Sequence, residues 1–360
     1  MNPKSGFLPD LLITIPAILL LSLGILVIYS SDTKLAFQQG LFALVGLLIY
    51  WGLSSLDFEI YKNYTLYFYL SVIILLVVVF LLGFETRGSV RWIPLGGIQL
   101  QPSELAKPAL ILFLAKFWSN RLPNWMNLLK SFLIAAPLIG LIFKQPDLGT
   151  ALTLLSIWVI MLVGANISWF KFMIMGVASA VSAPIIWLFL KDYQRQRIFS
   201  FLSPTQDPLG IGYNVIQSMI AVGSGQVLGR GLGRGTQSRL QFLPEFRTDF
   251  IFASIAEELG LLGSLIVLSL YGVLIARALK ICTNSSSRFG NLLILGVLGM
   301  IFFQTSINIG MNVGLFPITG ITLPLLSYGG SSLLSVLLSL SFIASVSRFS
   351  RQKSFNRDLD

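Results

Sequence analysis

The chain of 360 residues is 55% hydrophobic and 11% charged, with a mean hydropathy of +0.81; a soluble domain carries roughly 25% charged residues, so lipid is its main solvent. It has no histidine and one cysteine, Cys282, which excludes His-based acid–base catalysis, Ser-His-Asp triads, His metal sites, intrachain disulfides and thiolate clusters. The excess of 25 basic over 15 acidic residues flanks apolar runs, so it reads as membrane orientation and not as nucleic-acid binding.

The first apolar run continues to Ile28 without a small-residue cleavage site and reads as a retained span. A spanning helix needs roughly 20 mostly apolar residues. The pattern predicts about ten, near 11–30, 36–55, 64–83, 104–118, 128–143, 147–164, 169–190, 250–276, 290–313 and 321–346. The expected fold is an all-α polytopic membrane protein, one membrane domain over residues 1–360. Residues 191–248 form a large extracytoplasmic loop between helices seven and eight. Residues 211–222 in that loop alternate small, polar and apolar side chains, as an interfacial or re-entrant helix does. Short loops on the side of both termini hold thirteen Lys and Arg against five on the other. The positive-inside rule therefore puts both termini in the cytoplasm and the long loop outside.

Acids within such spans are costly and usually face a cavity or a partner. Glu104, Asp147, Asp249, Glu257 and Glu258 lie at the head of a span or within one. Before span four, Ser103 reads as a helix cap, and Glu104 and Lys107, three residues apart, share one helix face; the pair is either structural or part of a site. Asp147, in the tight turn Lys144-Gln145-Pro146-Asp147, reads as well as a cap of span six as it does as a site residue. Thr248 or Asp249 reads as the cap of span eight. A carboxylate at 249, between apolar neighbours, has its pKa raised toward that of a useful base, while Arg247 pushes the other way. Glu257 and Glu258 follow about two helical turns later.

Cations come from Arg91 before span four and from Arg197, Arg230, Arg234, Arg239 and Arg247 in or beside the long loop. The run Gly229-Arg230-Gly231-Leu232-Gly233-Arg234-Gly235 offers backbone amides and guanidinium forks to an anion, or is simply a solvated basic loop. No strand precedes it and no Gly-Lys-Ser/Thr follows, so no nucleotide cofactor is expected. A base, several cations and access from membrane lipid suit transfer from a lipid-linked phosphate, or transport of such a lipid.

The runs RGSVRWIPLGGIQLQPSELAK, KQPDLGTAL, DPLGIGYNVIQSMIAVGSG, GTQSRLQFLPEFRTDFIFASIAEELGLLG and NIGMNVGLFPITGITLPLLSYGGSS closely resemble the SEDS family, the bacterial shape, elongation, division and sporulation proteins. The wording of GTQS…FLPE and NIGM is nearer the elongation members. The resemblance implies a ten-helix peptidoglycan glycosyltransferase of the bacterial cytoplasmic membrane. Such an enzyme polymerises lipid II, an undecaprenyl-pyrophosphate-linked disaccharide peptide, beside a class B penicillin-binding protein. It implies an essential aspartate at Asp249, functional Glu104 and Lys107, and a divalent cation (Mg²⁺ or Mn²⁺) with Asp249 as ligand or base. The family commonly has His two residues before the aspartate; here Arg247 stands there, and a guanidinium only donates, so it is expected to act on phosphate. The alternatives are a lipid II flippase and a silent scaffold for a synthase.

Overall fold

The computed structural model describes residues 9–357 apart from 83, 87, 88, 96, 97, 205, 206, 208, 209, 211 and 241. Along the chain, α1 (Leu11–Ser31), α2 (Thr33–Ser54) and α3 (Phe58–Leu82) precede three short strands, β1 (Phe84–Thr86), β2 (Ser89–Leu95) and β3 (Ile98–Leu100). Then come α4 (Pro102–Ser119), α5 (Trp125–Lys144), α6 (Leu148–Gly164) and α7 (Trp169–Phe189). The long loop carries α8 (Asp192–Leu202), α9 (Tyr213–Ser224) and α10 (Thr236–Arg239), and α11 (Ile251–Asn284), α12 (Arg288–Asn312) and α13 (Gly330–Arg357) follow.

Polar residues between apolar runs set the helix starts. Asp10 accepts the Leu12 amide at the head of α1, and Asp32 accepts those of Lys34 and Leu35 at the head of α2. Asn124 and Ser287 do the same for α5 and α12. Among the described residues seven helices, α1, α2, α3, α5, α11, α12 and α13, are long and apolar enough to cross a membrane; α6 and the first part of α7 are shorter apolar helices, and α4 lies where the fourth span was expected. Their outward faces expose Phe37, Leu48, Leu81 and Val177, which lipid solvates and water does not.

α12 lies at the centre, buried along most of its length against α4, α6, α11 and α13. α4 packs on α3, α6 and α12, α1 on α11, and α2 on α13. Lipid is as apolar as a leucine core, so packing and hydrogen bonds, more than hydrophobicity, hold such helices together. At the end of the bundle near the termini, Arg277 of α11 grips Asp10 at 2.6 Å while Ser347 of α13 donates to the same carboxylate at 2.8 Å. One buried acid thus ties three helices.

Two features depart from the expected elements. The three short strands make two antiparallel pairings, β1 with β2 and β2 with β3, where no strand was expected. The last span begins at Gly330 and not at 321. Residues 321–329 are a loop, held open by Gln39 of α2, whose Nε2 donates to the Ser327 carbonyl at 3.1 Å and whose Oε1 accepts the Gly329 amide at 3.2 Å. An apolar run with Pro324 inside it looks like a span when only hydropathy is counted.

Candidate functional site

Asp249 sits in the loop end of the bundle, two residues before α11. Its backbone carbonyl accepts from two buried side chains of α12, Asn308 Nδ2 at 2.9 Å and Asn312 Nδ2 at 3.2 Å. Asn308 also donates to the Ile321 carbonyl at 2.7 Å, and the Asn312 Oδ1 accepts the Ala253 amide at 3.1 Å. The preceding Thr248 carbonyl accepts from Ser327 Oγ at 2.5 Å. The backbone is therefore fixed from two directions. The carboxylate, by contrast, accepts no hydrogen bond from any described residue.

Burial pushes the Asp249 carboxyl up to about 6; Glu245 adds to the rise, Arg197 opposes it, and Asp147 and Arg91 act more weakly in the same opposed senses. These five groups share one electrostatic neighbourhood, brought together from the segment before α11, from α8, from the head of α6 and from β2. Gly320, at φ 73°, lets the chain pass close by: a Cβ there would lie 3.6 Å from both Asp249 Oδ2 and Arg197 Nη1.

Asp147 is the N-cap of α6. It accepts the Thr150 amide at 3.1 Å and hydroxyl at 2.9 Å, and also Gln101 Nε2 at 3.1 Å. Arg91 crosses to the turn before it, with Nε donating to the Gln145 carbonyl at 2.9 Å and a second nitrogen to that of Pro146. Glu104 and Lys107 form a buried ion pair at 2.6 Å on α4, and among the described residues no hydrogen bond or ion pair links it to the Asp249 carboxylate.

Two caps fall elsewhere than expected. The cap position of α4 is Gln101, with Pro102 in the first turn and Ser103 inside the helix, because a proline lacking its N–H is suited to that turn. The cap position of α11 is Phe250, which makes no side-chain cap bond; Asn312 satisfies the Ala253 amide in its place.

A second cluster surrounds a break in α11 at Gly260 (φ 68°, ψ −162°). The carbonyls of Glu257 and Glu258 accept the amides of Arg230 and Gly231 at 3.0 and 2.9 Å. Beyond the break, the Leu261 and Leu262 amides donate to the Gln226 and Val227 carbonyls at 2.8 and 3.2 Å. The glycine-rich loop thus replaces the hydrogen bonds that the interrupted helix lacks. This corrects the expectation of amides open to an anion: two of them are committed to helix carbonyls. A Cβ at Gly260 would meet the Gly229 nitrogen at 2.3 Å and the Val227 oxygen at 2.5 Å.

The carboxylates beside the break also hold structure. Glu257 accepts the Gln237 amide at 2.9 Å and the Thr236 hydroxyl at 3.2 Å, and Glu258 accepts Ser30 Oγ at 3.0 Å. Arg247 donates to Ser31 Oγ at 2.9 Å, lies 3.8 Å from Asp32 and covers the Phe246 ring. Arg230 donates to Thr236 Oγ1 at 3.0 Å, and Arg234 is exposed. Arg239 ends α10, and its side chain lies outside the described part of the structure.

Asn308, Asn312, Gln101 and Ser327 were not singled out in the sequence as site residues. The signal was there for the asparagines: two amides four residues apart lie on one face of an apolar helix, where an unpaired amide is costly. Among the described residues no three Asp, Glu or Cys side chains converge as a metal cage. Mg²⁺ is usually held by one or two carboxylates together with substrate phosphates, and the open carboxylate of Asp249 fits that shared mode.

The sequence model of the cell cycle protein family FtsW/RodA/SpoVE matches residues 7–352. The chain is 42% identical to the peptidoglycan glycosyltransferase MrdB of Escherichia coli K12 over 84% of its length and 82% of the relative's. It is 38% identical to the stage V sporulation protein E of Bacillus subtilis over 95% and 98%. It is also similar to a chain of a solved peptidoglycan synthase complex studied for its coordination of polymerization and crosslinking. That likeness has a TM-score of 0.83 at 31% identity and covers 96% of this chain and 99% of the other. The runs that resemble the SEDS proteins, the helical membrane fold and these matches agree, and the chain belongs to the FtsW/RodA/SpoVE family.

Proposed function

We propose that the chain is a peptidoglycan glycosyltransferase that polymerises lipid II during cell-wall elongation, working in the bacterial cytoplasmic membrane with both termini in the cytoplasm. The observation that carries this reading is the Asp249 carboxylate. It is raised toward neutrality, held through its backbone, bonded to no described residue and shares its field with Arg91 and Arg197. A base needs a pKa near the working pH and a free lone pair.

In the proposed reaction Asp249 takes the proton from an acceptor sugar hydroxyl as that oxygen attacks the anomeric carbon of a lipid-linked donor. The bond to the pyrophosphate breaks, and the lipid pyrophosphate leaves with the electron pair. Arg91 and Arg197 offset the charge that develops on it. One displacement inverts the anomeric carbon, and one carboxylate base suffices. Asp249 would be the residue to hold a divalent ion, which would neutralise part of that charge. Glu104 and Lys107, the buried pair on α4, are read as part of the substrate-binding region on a helix that packs against α6. Arg230, Arg234, Arg239 and Arg247 are read as surrounding the approach of the anionic lipid, with a class B penicillin-binding protein as the transpeptidase partner. The similarity to a peptidoglycan synthase complex supports that pairing.

The test is direct. The purified chain, with and without a class B penicillin-binding protein, is given purified lipid II, and glycan strands are resolved on gels. Strand formation supports the reading. Movement of lipid II across vesicles without any polymer would replace it with the flippase reading.

A further inference from the structure

The ends of α3, α5 and α7 and the start of α8 surround a cleft of about 350 Å³, lined by Phe80, Phe143, Lys144, Phe189, Lys191 and Gln194. That volume falls in the range of roughly 300–1,000 Å³ typical of ligand sites. Lys144 ends α5 and Lys191 follows α7, so two lysines share the lining with three phenylalanines; both are exposed, and neither forms an ion pair with a described residue. Gln194 is 2% exposed. Its Oε1 accepts the Lys191 amide at 2.9 Å, and its Nε2 donates to no described residue.

We infer that this cleft binds the head of a polyprenyl pyrophosphate, with the phenyl rings against its isoprenyl chain. Lysines are point-charge phosphate binders, and basic pockets between membrane helices take lipid head groups. Phe80 and Phe189 are exposed on the flank of the bundle, which leaves the cleft open to a lipid chain. The position favours a substrate-derived lipid over bulk phospholipid. The cleft backs onto the Lys144–Asp147 turn that Arg91 fixes, and the charges of Arg91 and Asp147 reach Asp249. The inference rests on the glycosyltransferase reading, because that reaction releases this pyrophosphate.

The test uses the full chain in nanodiscs and a heptaprenyl pyrophosphate carrying a diazirine in its isoprenyl chain. Crosslinks should map to α3, α5 or α7. Lys144→Gln with Lys191→Gln should weaken probe binding by about tenfold or more, while the Lys→Arg pair, which keeps both charges and controls for folding, should bind as the parent does. Phosphatidylglycerol in large excess should leave the label in place. Unchanged binding by the Gln pair overturns the inference, and so does displacement by phosphatidylglycerol at concentrations equal to the probe. Binding is read without turnover: loss of polymer synthesis alone would sink the activity, and unchanged binding by the Gln pair in a polymerising enzyme would sink only the cleft.

Discussion

Asn312 of α12 donates its Nδ2 to the backbone carbonyl of Asp249 at 3.2 Å while its Oδ1 accepts the amide of Ala253 at 3.1 Å. One side chain thus bridges the proposed base and the first turn of α11. Asn312→Leu leaves that buried amide without its acceptor, a loss of about 1–3 kcal/mol, and frees the carboxylate to shift. Displacement of about 1 Å costs up to ~10²-fold in rate. The expected result is a large fall in kcat for lipid II polymerisation with KM little changed, and a lower Tm. A change confined to KM would place Asn312 in substrate binding instead.

The pH dependence follows from the direction of the Asp249 shift. The base works when ionised, so polymerisation should be full above its midpoint of about 6 and fall about tenfold per pH unit below it. Glu245 raises the midpoint and Arg197 lowers it. Glu245→Gln should therefore move the acid limb to lower pH, and Arg197→Gln should move it higher. Initial rates of strand synthesis between pH 5 and pH 8 would measure both, and limbs that coincide would remove Asp249 as the titrating group.

The Glu104–Lys107 pair is buried at 2.6 Å. Removing one partner of such a pair costs about 3–5 kcal/mol because it strands the other charge, whereas an apolar replacement of both is close to neutral. Lys107→Met alone should lower Tm markedly, and adding Glu104→Leu should restore most of the loss. If the double variant is stable yet makes no polymer, the pair acts in the reaction as well as in the fold.

At Gly260, an added methyl must fit a left-handed backbone and push aside the backbone of Gly229 and Val227. The conformational cost alone is about 1–3 kcal/mol. Gly260→Ala should open residues 226–231 to protease before the rest of the chain, as measured by limited proteolysis and mass mapping. Cleavage no faster than in the parent would mean that the loop is held by other contacts.

Much of the fold was legible because apolar runs of spanning length leave few alternatives: the helices α1 to α7, the loop helix α9 and the long connection that carries it all follow from hydropathy and polar breaks. The strands at 84–100 were not, since they sit in a short polar connection without a long alternating run. Residues 321–329 were misread because an apolar loop buried by its neighbours has the hydropathy of a span. At the site, Asp249, Asp147, Arg91 and Arg197 were legible from their type and place, and the Glu104–Lys107 pair from its spacing. The splitting of the remaining charges was not legible. That Glu257, Glu258 and Arg230 hold a broken helix depends on a backbone turn at Gly260 and on a loop some 30 residues away in the chain, which no local pattern announces.

The most direct measurement is polymerisation of purified lipid II by Asp249→Asn against the parent, each shown to be folded by its thermal unfolding. The amide keeps the shape and both backbone bonds from Asn308 and Asn312 but cannot take a proton. The account predicts strands from the parent and none from the variant across pH 5 to 8, with binding of lipid II retained. Strand synthesis by Asp249→Asn near the parental rate would contradict it.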